Sequence, residues 1–149
     1  MNLKSSSFID GDTIPSKYGY KFENFSPPLT IENVPKNTKS LVLIMDDPDA
    51  MDAVGKVWVH WVLWNIPPNT TEILENSIPS NAIEGITDFG EIGYGGPAPP
   101  DKEHIYIFSL YAIDVEVNIE SGSTKENVLK NIKNHIMDST KLTGKFAPL

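Results

Sequence analysis

The sequence predicts a mainly β fold, in which antiparallel sheets form a sandwich and one helix lies near the C-terminus. Most apolar segments alternate with period two or run for about four to eight residues, as strands do. Proline is confined to strand ends and turns, where it removes no hydrogen bond from a sheet. One later segment repeats its apolar residues at helical spacing. This pattern favours a sandwich over a barrel, which remains the alternative.

The predicted strands follow one another between clusters of Pro, Gly, Asn and Asp. Strands are predicted at Ser5–Ile9, Ser40–Asp46, Val57–Asn65 and His104–Val117, with weaker signals near Thr30 and Asp88. The Val57–Asn65 segment is apolar on both faces, which predicts a strand buried on both sides. Strict alternation along it places His60 on the face of Trp58, Val62 and Trp64.

The helix is predicted from a capping signal and an apolar stripe. Ser123 and Glu126 have the spacing of a capping box, and apolar residues then recur at helical intervals as far as Ile136. We expect this helix to run to about Lys141 and to end before Gly144. No linker or internal repeat interrupts the chain, so residues 1–149 are predicted to form a single domain.

The composition narrows the classes of function. The chain has a formal net charge of -8, and all 12 of its basic residues are Lys. These features argue against a nucleic-acid module, because phosphate binding uses clustered Lys and Arg, and Arg commonly reads guanine. The absence of Cys excludes disulfides and thiolate chemistry. Without a secretory signal or an apolar segment of spanning length, we expect a cytoplasmic protein with no stable membrane insertion.

Two polar features next to strands have a functional and a simpler interpretation. Asp46, Asp47 and Asp49 follow an apolar strand and could form a pocket wall, but an Asp-Pro turn is the simpler explanation. His60 lies within a strand and must be hydrogen-bonded, and a neutral structural histidine is the simpler explanation. We interpret His135, near the predicted helix end, as structural.

A third feature combines a glycine-rich loop with two polar side chains. Gly93–Pro100 precedes the last predicted strand, at whose start His104 and Tyr106 share one face. Loops of this kind are usually plain turns, but successive glycine amides can also form an anion-binding nest. An imidazole, a phenol and such a nest are all possible donors to an oxyanion.

Three segments occur in the order and with the separations of one known family. They are Leu43–Ala50, Val59–Pro67, and Gly93–Pro100 followed by His104-Ile105-Tyr106. The chain resembles the phosphatidylethanolamine-binding protein family, and within it the prokaryotic Raf kinase inhibitor-like branch of the YbhB/YbcL type. This resemblance covers nearly the whole chain. It implies two antiparallel sheets with Greek-key connections, a C-terminal helix, and a small pocket for phosphate-like anions or phospholipid head groups.

The resemblance also implies which residues form the pocket. The family's two aspartates, two histidines, one tyrosine and closing Gly-Pro loop all have counterparts in this chain. The implied ligand-binding residues are Asp47, Asp49, His60, Gly95, Gly96, Pro97, His104 and Tyr106, with Gly93 in the same loop. No catalytic residue, metal ligand or cofactor is implied.

Three positions depart from the family pattern. Met51 stands where Pro is common, Ile105 where Arg is common, and Asp101-Lys102-Glu103 where Gly is usual. Without the Arg, a bound anion has to rely on backbone N–H groups, Tyr106 and partly protonated histidines.

Three hypotheses of function follow. In the first, a non-catalytic binding module, the two aspartates orient the two histidines and raise their pKa values, and the rings, the tyrosine and the glycine amides hold a small anionic or phosphorylated ligand. The second is a hydrolase that uses the Asp and His side chains as acid, base or metal ligands. The third, which the resemblance implies, is an inhibitor of a kinase or serine protease through protein contact. The resemblance is also compatible with a homodimer.

Overall fold

The computed structural model describes residues 1–149 and has the mainly β architecture that the sequence predicts. The strands are β1 (Asn2–Lys4), β2 (Leu29–Glu32), β3 (Ser40–Asp47), β4 (Trp58–Ile66), β5 (Glu72–Ile73), β6 (Ile83–Glu84), β7 (His104–Ile113) and β8 (Ile136–Phe146). The α-helices are α1 (Ala50–Val54) and α2 (Lys125–Ile132), and a short 3-10 helix spans Ser16–Tyr18. Neither α-helix has the length and apolar character needed to cross a bilayer.

The strands form two antiparallel sheets. The larger sheet has the strand order β6-β4-β3-β7-β8, and the smaller has the order β1-β2-β5. In the larger sheet the chain passes through β3, β4 and β6 and then returns to place β7 beside β3, which is a Greek-key arrangement. The C-terminal end of β3 therefore lies between the N-terminal ends of β4 and β7. Polar side chains from these three strands meet at this end of the sheet.

The larger sheet is buried on both faces. Leu43 and Met45 of β3 face the core between the two sheets, whereas Val42 and Ile44 face a second apolar cluster. The helix α2 covers that second cluster with Val128 and its neighbours. Because both faces of β3 and β4 are covered, polar side chains at the ends of these strands lie in a largely water-free environment, where each needs a partner.

A β-bulge at His60 changes the predicted face of this residue. The register between β3 and β4 shifts here, because β4 contains one residue more than β3. His60 therefore turns toward Tyr106, and the centroids of the two rings lie 5.1 Å apart. Val62 and Trp64 instead belong to the cluster under α2. The predicted burial of β4 is confirmed, and Trp58 does line the same cavity as His60. The prediction that Val62 and Trp64 share the face of His60 was wrong, because the bulge interrupts the alternation at this residue.

The predicted C-terminal helix is confirmed in its first half and wrong in its second. The cap is Thr124 rather than Ser123, because the Thr124 hydroxyl accepts a hydrogen bond from the Asn127 N–H at 3.1 Å. The helix ends at Ile132, and Asn134 then has a left-handed backbone with φ 74°. Ile136 begins β8, which pairs with β7 along its whole length. Sheet pairing thus overrides the helical spacing of the apolar residues.

Other predicted boundaries also differ. The first strand is β1 rather than Ser5–Ile9. In the predicted segment the Ser5 hydroxyl accepts a hydrogen bond from the Ser7 N–H, and this local bond competes with strand pairing. The strand that begins at His104 ends at Ile113, before Val117. The weak signal at Asp88 lies in a loop, whereas the one near Thr30 is confirmed as β2. The short elements α1, β5 and β6 were not predicted.

Candidate ligand-binding site

A cavity of about 130 Å³ opens at the end of the larger sheet at which β3 ends and β4 and β7 begin. Asp47 of β3, His60 of β4, and His104 and Tyr106 of β7 are its polar residues. Strand pairing explains why they meet, because Asp47 lies opposite Trp58 at the start of β4. The other lining residues are apolar: Ala50, Ala53, Val54, Trp58, Phe89, Ala98, Pro99 and Pro100.

His104 is held between two carboxylates. Its Nδ1 lies 2.6 Å from Oδ2 of Asp47, and its Nε2 lies 2.7 Å from Oδ1 of Asp101. When both carboxylates are ionised they only accept hydrogen bonds, so both ring nitrogens then carry a hydrogen and the ring is an imidazolium. Only 1% of the His104 side chain is exposed, so its charge is sustained in the interior by these two partners.

The same contacts determine the pKa values of this group. Burial lowers the pKa of His104, but the hydrogen bonds to Asp47 and Asp101 outweigh burial and the net shift is upward. Burial raises the pKa of Asp47 against the opposing effect of His104. Desolvation also acts to raise the pKa of Asp101, but the hydrogen bonds from His104 and from backbone N–H groups together outweigh it, and the net shift is downward. The predicted increase in histidine pKa is thus confirmed for His104.

His60 has the opposite protonation state. Its Nδ1 lies 2.6 Å from the Gly95 carbonyl oxygen, which can only accept, so Nδ1 carries the hydrogen. Burial lowers the pKa of His60 to about 4, although hydrogen bonds with the backbone of Gly95 and Gly96 act in the other direction. The ring is therefore neutral, with a lone pair on Nε2. The prediction that an aspartate orients His60 and raises its pKa was wrong, because its partner is a backbone carbonyl.

Tyr106 contributes a further donor at the cavity, whereas the indole N–H of Trp58 is buried beside it. Tyr106 is 1% exposed, and burial, followed by the charge of Asp47, raises the pKa of its phenol. The phenol therefore stays protonated and can donate one hydrogen bond. Trp58 lines the same cavity, and its buried indole Nε1–H has no acceptor within the protein.

The glycine loop supports the cavity but presents no amide nest to it. The Gly95 N–H donates to the His60 carbonyl at 2.8 Å, and the Gly96 N–H donates to Oδ1 of Asn24 at 2.8 Å. A Cβ at Gly95 would lie 2.5 Å from the Phe89 ring, and one at Gly96 would collide with the Tyr18 carbonyl. These glycines are needed for close packing, so the prediction that their amides donate to an oxyanion was wrong.

Asp49 and Pro97 lie beside the cavity and do not line it. Oδ2 of Asp49 accepts a hydrogen bond from the Ile105 N–H at 2.8 Å and thereby fixes the start of β7. The Pro97 carbonyl accepts a hydrogen bond from the Tyr20 N–H at 3.0 Å. Both residues position elements around the cavity, and Asp49 does not orient a histidine as predicted.

Several residues of the site were not predicted from the sequence. The wall formed by α1 and Phe89 reaches the cavity only through tertiary folding, and no local signal marks it. Asp101 was noted only as a departure from the family pattern, although a carboxylate three residues before His104 is a readable sign of a contact. His135 lies outside the cavity and bonds Oδ1 of Asp114 at 2.8 Å, in agreement with a structural role. No group of three or more His, Asp or Glu side chains is arranged to hold a metal ion.

Comparisons with known proteins agree with this architecture. The family model for phosphatidylethanolamine-binding protein matches residues 4–147. The UPF0098 protein of Methanothermobacter thermautotrophicus is 45% identical over 151 residues, which cover 98% of both chains. A crystal structure of a phosphatidylethanolamine-binding protein homologue from Chlamydia trachomatis has a TM-score of 0.90 at 39% identity, covering 97% of this chain and 95% of that one. Escherichia coli YbcL also has a TM-score of 0.90, at 28% identity, with 97% and 96% covered.

The family match and the likeness to solved structures support a binding or regulatory protein at a coarse level. The chain belongs to the phosphatidylethanolamine-binding protein family and is of its prokaryotic type. The resemblance carried by the three ordered segments is thereby confirmed over nearly the whole chain.

Proposed function

We propose that this protein is a non-catalytic binding protein whose cavity takes a small phosphate-like anion, free or as the head group of a larger molecule. The observation that carries this proposal is the imidazolium of His104 at the cavity wall. Charge-assisted hydrogen bonds are roughly twice as strong as those between neutral groups, so this ring is the strongest anion donor at the cavity. The family description refers to a phospholipid whose head group contains a phosphate, which supports the same ligand class.

The neutral groups of the cavity complement this charged donor. Tyr106 supplies a protonated phenol as a neutral donor. His60 contributes an acceptor at Nε2, which suits a protonated phosphate oxygen or an ammonium group. An anion in this cavity would thus be held by one charged ring and a neutral donor, and the glycine amides would take no part.

The size of the cavity limits what can enter it. At about 130 Å³ it is smaller than the roughly 300–1,000 Å³ of pockets that enclose drug-sized ligands. A phosphate or phosphomonoester head group fits such a volume, and the rest of a larger ligand would remain outside. The apolar walls lower the local dielectric constant, which strengthens the hydrogen bonds of an anion within them.

The hydrogen bonds that the polar groups of the cavity already make within the protein support binding over hydrolysis. Asp47 accepts hydrogen bonds from His104 and from the Ala50 N–H at 3.2 Å, and Nδ1 of His60 bonds a carbonyl. No Ser, Thr, Cys or Lys lines the cavity, so none of these nucleophiles is present there.

Calorimetric titration with inorganic phosphate and phosphoethanolamine tests the proposal. We expect saturable binding to the wild type and a loss of at least about tenfold in affinity for His104→Gln. The removed hydrogen bond involves a charged group and is worth roughly 1.5–3 kcal/mol, where 1.4 kcal/mol is tenfold. His135→Gln is the matched control, because it replaces a histidine outside the cavity, and it should bind as the wild type does.

Thermal melting establishes that each variant is folded before the titrations are compared. The proposal would be contradicted if His104→Gln and the wild type bound phosphate with equal affinity. Turnover of phosphoethanolamine by the wild type would contradict its non-catalytic part.

A further inference from the structure

The loop before β7 places a carboxylate of the chain itself on the charged donor of the cavity. Oδ1 of Asp101 lies 2.7 Å from Nε2 of His104, the ring nitrogen that Asp47 does not bind. The Asp101 side chain is 39% exposed, whereas that of His104 is 1% exposed. Asp101 does not itself line the cavity, and its more exposed carboxylate covers Nε2 of a ring that is otherwise buried.

This contact uses the remaining hydrogen-bonding capacity of His104. An imidazolium has two N–H donors, of which Asp47 takes Nδ1–H and Asp101 takes Nε2–H. An oxyanion that enters the cavity thus finds no free N–H on the ring while Asp101 is in place. The carboxylate of Asp101 is itself an oxyanion, so it shows that the space beside Nε2 accepts a group of this charge and shape.

The Asp101 carboxylate also accepts hydrogen bonds from backbone N–H groups of its own loop, those of Asp101 and Lys102. Its neighbour Lys102 pairs with Asp52 of α1 at 3.4 Å, and both of these side chains are exposed. Exposed ion pairs contribute little to stability, so this contact costs little to break. Because Asp47 binds the other ring nitrogen, Asp101 can leave Nε2 while the contact between Asp47 and Nδ1 remains.

We propose that Asp101 is an internal occupant of the anion position, so that a phosphate-like anion binds His104 only by displacing the Asp101 carboxylate. This inference rests on the proposed function, and in it Asp101 regulates the access of anions to the same site. The bound anion takes over the Nε2 hydrogen bond, and the Asp101 carboxylate becomes solvated. The number of anionic partners of His104 stays at two, so the imidazolium is retained throughout the exchange.

An internal occupant lowers affinity and increases selectivity. The apparent affinity is reduced by the fraction of molecules in which the position is free. An anion that contacts only Nε2 gains nothing over Asp101, whereas one that also fills the cavity and bonds Tyr106 can displace it. Asp101 therefore favours ligands that match the whole cavity and discriminates against simple anions.

Titration of Asp101→Ala with inorganic phosphate and phosphoethanolamine tests this inference. If Asp101 is in place in about nine molecules of ten, its removal should raise the affinity about tenfold. Glu103→Ala is the matched control, because it removes the same charge from the same loop and Glu103 makes no hydrogen bond to His104. At about pH 6, below the ordinary pKa of imidazole, the ring of His104 should stay protonated in all the proteins. Asp47, His60 and Tyr106, which also face this ring, are unchanged in each.

The outcomes distinguish this inference from the proposed function. A gain of about tenfold for Asp101→Ala, with wild-type affinity for Glu103→Ala, would support it. If Asp101→Ala binds no more tightly than Glu103→Ala, the inference is overturned, while measurable binding leaves the proposed function intact. If no protein binds either probe, including the variant without the occupant, both are overturned. Asp101→Asn, which removes the charge at constant size, is the second variant if Asp101→Ala does not fold.

Discussion

Two histidines of one cavity are held in opposite protonation states by different kinds of partner. His104 lies between two carboxylates and is charged, whereas His60 bonds the carbonyl of Gly95 and is neutral. The contact of Asp47 with His104 was within reach of sequence reasoning, because both residues belong to recognisable segments. The partner of His60 could not be predicted from the sequence, because this contact depends on a β-bulge and on the packing of a loop 35 residues away.

The departure at Ile105 has a smaller consequence than the sequence suggests. Ile105 lies on the face of β7 opposite His104 and Tyr106, and its side chain is 52% exposed. A side chain at this position points away from the cavity, so the replacement of Arg by Ile removes no donor from its wall. At the residue scale, the departure that affects the cavity is Asp101.

The charge on His104 makes the stability of the protein depend on pH with a definite sign. The pKa of His104 is raised in the folded state, so its contribution is complete below the unfolded-state value of about 6.5. That contribution is lost as the pH rises through the higher folded-state pKa. The free energy of unfolding in urea should therefore fall over this range in the wild type, and Asp101→Ala should show a smaller fall. Equal falls in the two proteins would mean that Asp101 does not stabilise the imidazolium.

At the scale of elements, the glycine loop shows how one pattern can serve two purposes. Adjacent glycines in a loop can form an anion nest or allow close packing, and the sequence does not separate these alternatives. Here the Gly95 and Gly96 amides bond other parts of the chain, and the missing side chains make room for Phe89 and the Tyr18 carbonyl. The proposed anion donors therefore lie on β7 and not in this loop.

The helix α2 was correctly located but given the wrong cap and the wrong end. A capping-box pattern identified Ser123, whereas the side chain that bonds the helix N-terminus is Thr124. The second half of the predicted helix forms β8, where Gly144 packs closely against Ile14. Local spacing cannot show that β7 offers this segment a full row of hydrogen bonds.

The two candidate caps make different predictions for stability. Thr124→Ala should lower the free energy of unfolding by about 1 kcal/mol, because it removes the acceptor of the Asn127 N–H. Ser123→Ala, which removes only an exposed hydrogen bond to the Glu120 carbonyl, should change it by less than about 0.5 kcal/mol. Urea unfolding of both variants measures the difference, and a larger loss for Ser123→Ala would show that the helix begins one residue earlier.

At the scale of the whole molecule, the order of three segments predicted the family and hence the two sheets. Alternating apolar residues located β3, β4 and the start of β7, which together position the cavity. What the sequence could not show are features that depend on contacts between distant elements, such as the bulge at His60 and the α1 wall. The formal net charge of -8 bears on the cavity through Asp101, whose carboxylate is hydrogen-bonded to Nε2 of His104, the proposed anion donor.

The most direct test of this account is a crystal structure of the protein grown with phosphoethanolamine. We predict a phosphate oxygen within hydrogen-bond distance of Nε2 of His104, with Asp47 still on Nδ1 and Asp101 turned toward solvent. Asp101→Ala should show the same phosphate position at lower ligand concentration, because it needs no displacement. A phosphate bound at the Gly95 and Gly96 amides, with Asp101 still on His104, would contradict the account.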